Sequence, residues 1–160
     1  MQTVLVWLMI ISSLLGRAQS QQKASYLPNP KLTPGDTLKV NKEDLCGSKS
    51  ESFDGSIPIS LKRKVFDLYG IRGDKPIPYN VDHLIPVGLG GSNSMKNLWP
   101  QPVSGEWSYQ KKNKLERRLH KLVCRGELDP QRAQQEISTD WVSAYEKYLG
   151  GPARQKSSQD

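Results

Sequence analysis

Between Tyr79 and Gln101 the chain packs two short apolar runs around a glycine-rich return, a span too short for two helices and well suited to a β-hairpin. Tyr79-Asn80-Val81-Asp82-His83-Leu84-Ile85 reads as the first strand and Pro86 to Ser92 as the return. Asn97 to Gln101 is the expected second strand, short and ended by Pro100 and Pro102, since proline cannot donate to a ladder. In the return, Gly88, Gly90 and Gly91 are expected to serve as turn glycines able to take positive φ.

Helical patterns flank this hairpin. Leu61, Val65, Leu68 and Tyr69 keep helical spacing from a capping Ser60 to Gly70. Gly73 to Pro78 reads as a loop. A second helix is expected from about Gly105 to Cys124, with Ser104 as cap and Gly126 just past its end. A third has Asp129 as N-cap, Pro130 in the first turn, and a stripe of Ala133, Ile137, Trp141, Ala144, Tyr145 and Tyr148 running to Gly150. The fold class is therefore α+β, a small β-hairpin packed on a helix with flanking helices.

With 160 residues, one domain is expected. The apolar run Val4 to Leu15, followed by Ala18-Gln19-Ser20, reads as a secretory signal peptide over residues 1–20. Residues 21–45, rich in Pro, Lys, Asn and Asp, read as an extended arm, 46–150 as the domain, and the polar 151–160 as a disordered tail. Export implies a secreted or periplasmic location, with no membrane anchor once the leader is removed. A monomer is expected. In an oxidising compartment the two cysteines, Cys46 and Cys124, are expected to pair as a disulfide worth about 4 kcal/mol in the chain-entropy model. With only 2 histidines in the chain, they do not make a structural zinc site. The formal net charge of +7 suits a polyanionic partner, and equally a well-solvated basic surface.

Asp82 and His83 stand side by side just before the glycine turn. Adjacent strand residues point to opposite faces, so packing rarely needs both, whereas a strand end can offer a metal ligand and a general base within one small site. The run VDHLIPVGLGGSNSMKNLWPQ resembles the HNH nuclease motif of the His-Me finger, or ββα-metal, group. More widely, the chain from about Leu32 to Gly150, with its Cys124-Arg125-Gly126 and Asp140-Trp141 segments, resembles small bacterial HNH-endonuclease-like proteins.

The resemblance implies that His83 takes a proton from the attacking water, a task a neutral imidazole can perform near neutral pH. It implies that Asp82 is a ligand of one divalent ion, Mg²⁺ in the first place with Mn²⁺ as alternative, because a hard carboxylate oxygen suits both. Asn97 matches the middle asparagine, which ties the loop so that the histidine is aimed. By itself it reads as a turn asparagine bonding local backbone. Asn93 reads as a turn residue and Trp99 as a core or hairpin-packing aromatic.

The third motif position departs from the pattern, because no cysteine-flanked segment follows. Asn113 is the candidate ligand, with Glu116 and Gln110 as rivals. At about 100° per residue, Tyr109, Asn113, Glu116 and His120 share one helix face, which the site would lay against the hairpin. Without the motif this would be an exposed face with an ordinary Glu116–His120 pair. Lys111, Lys112, Lys114, Arg117, Arg118 and Lys121 surround the helix, and the first five are the candidate phosphate contacts.

The leading expectation is a metal-dependent HNH-type endonuclease that hydrolyses phosphodiester bonds of nucleic acid with little sequence specificity. DNA is expected ahead of RNA, and the resemblance implies 5′-phosphate and 3′-hydroxyl ends. The alternative is a catalytically inactive extracellular module binding nucleic acid or protein on the same fold. A toxin-like effector nuclease is a third possibility, against which an export signal argues.

Overall fold

A computed structural model describes residues 26–47, 55–71 and 79–150. The expected signal peptide, the Gly73 to Pro78 loop and the polar tail lie outside the described residues. Four α-helices are described: α1 Lys42–Cys46, α2 Ile59–Leu68, α3 Tyr109–Cys124 and α4 Pro130–Leu149. Between α2 and α3 run two antiparallel strands, β1 Tyr79–His83 and β2 Leu98–Pro102, joined through a 3₁₀ turn at Val87–Leu89. The molecule is α+β, as the residue patterns indicate.

The register places Asp82 opposite Trp99, Asn80 opposite Gln101, Val81 opposite Pro100 and His83 opposite Leu98. Directly paired residues share a face, so Asp82 and Trp99 lie on one side of the ribbon and Val81, His83 and Leu98 on the other. Val81 and Leu98 pack with Val65 of α2. Lys112 of α3 reaches Asp82. The hairpin is thus covered by α2 on its His83 face and touched by α3 on its Asp82 face.

The larger core lies between α3 and α4. Leu115, Leu119 and Val123 of α3 meet Ala133, Ile137, Trp141, Val142 and Ala144 of α4, with Leu45, Ile85 and Leu89 closing the cluster. Asp129 caps α4 by accepting from Arg132 N at 2.9 Å, and Pro130 takes the first turn. The helix departs from helical geometry at Asp140 (φ −159°, ψ 88°), which kinks it.

Several boundaries differ from the pattern. Helix α2 starts at Ile59 after Pro58, with no side-chain cap, so Ser60 lies inside it. Helix α3 starts at Tyr109 after Ser108, not near Gly105, and Ser104 caps nothing. Gly105 instead takes φ +95°, a left-handed turn that no helix start would need. Pro100 falls inside β2, and the strand ends at Pro102. In a two-stranded ribbon each strand has one unpaired edge, where a missing N–H costs no ladder bond.

The segment expected as an extended arm is tied to the body. Thr37 bridges Gly91, and the buried Thr33 hydroxyl donates to the Leu98 carbonyl at 3.0 Å. Its last residues form α1, held by a reciprocal Asn41–Asp44 capping box. Cys46 at the end of α1 is bonded to Cys124 at the end of α3, 78 positions on, with Cα atoms 5.4 Å apart. The disulfide fits an oxidising compartment.

Candidate active site

The site starts from a loop that is held shut. Asn97, wholly buried, accepts from Ile85 N at 2.9 Å and donates to the Ile85 carbonyl at 2.9 Å and the Ser92 carbonyl at 3.0 Å. One amide therefore closes both ends of the Ile85–Ser92 return. Gly91 has no room for a side chain, because a Cβ there would lie 1.7 Å from the Ile85 carbonyl oxygen. Gly90 takes φ +83°, the one return glycine that needs the left-handed region.

This loop carries Asn93, which reads in the sequence as a turn residue. Its Oδ1 lies 2.6 Å from His83 Nε2, and its Nδ2 donates to the Ser56 carbonyl at 3.1 Å. The second bond orients the first: with Nδ2 committed to a carbonyl, Oδ1 must face the imidazole. An amide oxygen only accepts, so Nε2 carries the proton and Nδ1 of neutral His83 is left as the acceptor. His83 is 6% exposed. A glycine-rich turn hides this role, since nothing in GGSN distinguishes an asparagine bonding its own backbone from one reaching a histidine.

Asp82 meets different partners. Lys112 donates to its Oδ2 at 3.2 Å, to the His83 main-chain carbonyl, and to the Glu116 carboxylate. Lys112 is fully buried, while the Asp82 and Glu116 side chains are 32% and 20% exposed. Burial works against the ammonium, but the charges of Glu116 and then Asp82 outweigh it and hold its pKa above the ordinary lysine value. Three protons meet three oxygen acceptors.

Lys112 is therefore not an exposed phosphate contact. Of the other candidates, Lys111 lies over the Trp107 ring at 4.1 Å and 3.8 Å from Glu106. Lys114 and Arg117 are exposed and Arg118 is half-buried. On an ideal helix these three and Lys121 centre about 170° round from the Lys112–Glu116 face. This basic face thus turns away from the hairpin. The basic residues on the element that covers the His83 face are Lys62, Arg63 and Lys64 of α2, with Arg63 and Lys64 exposed. Nothing in the sequence singles them out, because they interrupt an amphipathic helix in the ordinary way.

Of the expected 109-113-116-120 face, Glu116 meets the Asp82 cluster through Lys112. Tyr109 is exposed and Asn113 half-buried, and neither is among the partners of Asp82. His120 turns instead toward the disulfide: its Nε2 is 3.0 Å from Leu45 O and 3.5 Å from Cys124 Sγ. A carbonyl only accepts, so that nitrogen is the donor. Cys46, His120 and Cys124 lie close enough to share an ion, but the two sulfurs are bonded to each other and offer no thiolate.

The hard oxygens of Asp82, Glu116 and the His83 carbonyl are of the kind that hold Mg²⁺ or Mn²⁺. As the side chains stand, they converge on an ammonium. A divalent ion at that point would have to take Asp82 Oδ2 from Lys112, so the arrangement around the ammonium does not fit the ion that the motif resemblance implies. Nearby, Trp99 Nε1 and the Gln101 amide are buried without a hydrogen-bond partner among the described residues. No family model, curated protein or solved structure matches the chain.

Proposed function

We propose that this protein hydrolyses phosphodiester bonds of nucleic acid, with His83 as the general base. The observation that carries the reading is the Ser56–Asn93–His83 relay. It leaves Nδ1 as a proton acceptor on a ring that cannot turn without breaking its bond to Asn93, whose amide is itself held by Ser56. Asn97 acts as a positioning residue, because it sets the loop from which Asn93 reaches the ring.

In this reading water gives its proton to Nδ1 as its oxygen attacks phosphorus, the P–O3′ bond breaks, and the leaving 3′ oxygen takes a proton from solvent, while the Asp82–Lys112–Glu116 cluster fixes the strand end that carries the base. Lys62 and Lys64, which flank the Val65 face of α2, hold the phosphate backbone on the His83 side, and Lys114, Arg117 and Arg118 add affinity from outside. A non-specific substrate grip of this kind gives little sequence preference. The motif resemblance supports an HNH-type endonuclease acting on DNA ahead of RNA, the apolar leader and the disulfide support a secreted or periplasmic location, and a monomer is expected.

The competing reading is a binding module without turnover, favoured by one observation: the Asp82 carboxylate is already neutralised by Lys112. Incubating the exported, disulfide-bonded protein with supercoiled plasmid and with single-stranded RNA separates the two. Nicked or shortened products with 5′-phosphate ends are expected. Retarded but uncut nucleic acid, with or without added Mg²⁺ or Mn²⁺, would leave the binding module standing.

A further inference from the structure

We propose that Lys112 is the resident cation of an oxygen-donor site built from Asp82, Glu116 and the His83 carbonyl, and that a divalent ion gains those oxygens only by displacing it. This goes beyond the hydrolase reading, because it concerns which cation the site holds whether or not the chain cleaves anything.

Three observations carry it. The ammonium is fully buried, so water cannot solvate it and the protein must supply every partner. Its three acceptors come from two separate parts of the chain, Asp82 and the His83 carbonyl at the end of β1 and Glu116 one turn along α3. The set therefore exists only in the folded state and surrounds a single point, as a cation site does. Two carboxylates against one ammonium also leave one negative charge over, which attracts a second cation that the lysine keeps out by occupying the point of convergence.

A simple clamp between helix and hairpin would show the same bonds, and the two cases part once the lysine is shortened or neutralised. A clamp leaves an empty gap with no preference for ions. A displaceable resident cation leaves three hard oxygens positioned for Mn²⁺. Coexistence of both cations at that point is disfavoured, since an ion on Asp82 Oδ2 would sit within a few ångströms of the buried ammonium.

Titrating Mn²⁺ alone into the exported protein, with the paramagnetic signal of the free ion as readout, tests this without nucleic acid. The wild type should leave the ion free where Lys112→Met binds it roughly tenfold or more tighter, a difference of about 1.4 kcal/mol. Adding Asp82→Asn to Lys112→Met should remove the gain, and Lys112→Arg, which keeps the charge, should show none. Tight, stoichiometric Mn²⁺ binding by the wild type that Asp82→Asn abolishes would overturn the proposal, and that arm needs no lysine variant to fold. Binding by folded Lys112→Met no tighter than the wild type would overturn it equally. Either failure leaves the plasmid assay untouched.

Discussion

Asn97 shows how one side chain can decide the geometry of a site it does not enter. Three hydrogen bonds converge on a wholly buried amide, so Asn97→Ala strands one N–H and two carbonyls. The expected cost is on the order of 3 kcal/mol in urea denaturation, and a loss of no more than about 0.5 kcal/mol, the lower end for a single hydrogen bond, would mean the loop closes without it. Asn93 acts on the tautomer rather than on stability. In ¹⁵N spectra of the neutral ring, His83 should carry its proton on Nε2, and Asn93→Ala should let the two tautomers mix. An unchanged tautomer in that variant would detach Asn93 from the histidine. The Asp82-His83 pair and Asn97 were legible in the residues because each is chemically unusual for its place. Asn93 and Lys112 were not: a turn asparagine and one lysine among several basic residues become particular only through partners distant in sequence, at Ser56 and at Asp82.

Elements were legible where the pattern was long and the caps were chemical. Helix α4 begins at the Asp129-Pro130 cap and buries Ala133, Ile137, Trp141 and Ala144 as its stripe requires. Helix α3 starts later than its composition suggests, because Ser104-Gly105 carries a helix-start composition while the backbone turns left-handed at Gly105. The kink at Asp140 had no mark in the pattern. Before the kink Glu136 accepts from Arg132 at 2.6 Å, and across it from Lys147 at 2.7 Å. Burial raises the Glu136 pKa, but the hydrogen bonds from Lys147 and Arg132 outweigh this and lower it below the ordinary 4.5. A carboxylate lowered on folding stabilises the fold above its unfolded pKa, and the contribution fades as pH falls through the folded value. Glu136→Gln should therefore be less stable than the wild type at neutral pH and converge with it in acid below 4.5. A constant difference across that range would show that the two bonds stabilise nothing through charge.

For the whole molecule, the Cys46–Cys124 bond fastens α1 to the end of α3 and closes a loop of 78 positions. Replacing both cysteines by serine should cost about 4 kcal/mol on chain-entropy grounds, read from the shift in the urea midpoint. An equal midpoint would mean that the α3–α4 core alone sets stability. The pairing was legible because two cysteines allow one partner each, whereas the side on which the basic helices face was not, since charge counts carry no direction. That direction bears on function: the basic face of α3 points away from the hairpin, while α2 covers the face that carries His83. The proposed hydrolysis turns on the imidazole. Plasmid cleavage by the wild type should be compared with that by His83→Ala, each shown to be folded and to retain nucleic acid to the same degree. Cleavage should fall on the order of 10²–10⁴-fold in the variant with binding unchanged, and a fully active His83→Ala protein would contradict catalysis by this histidine.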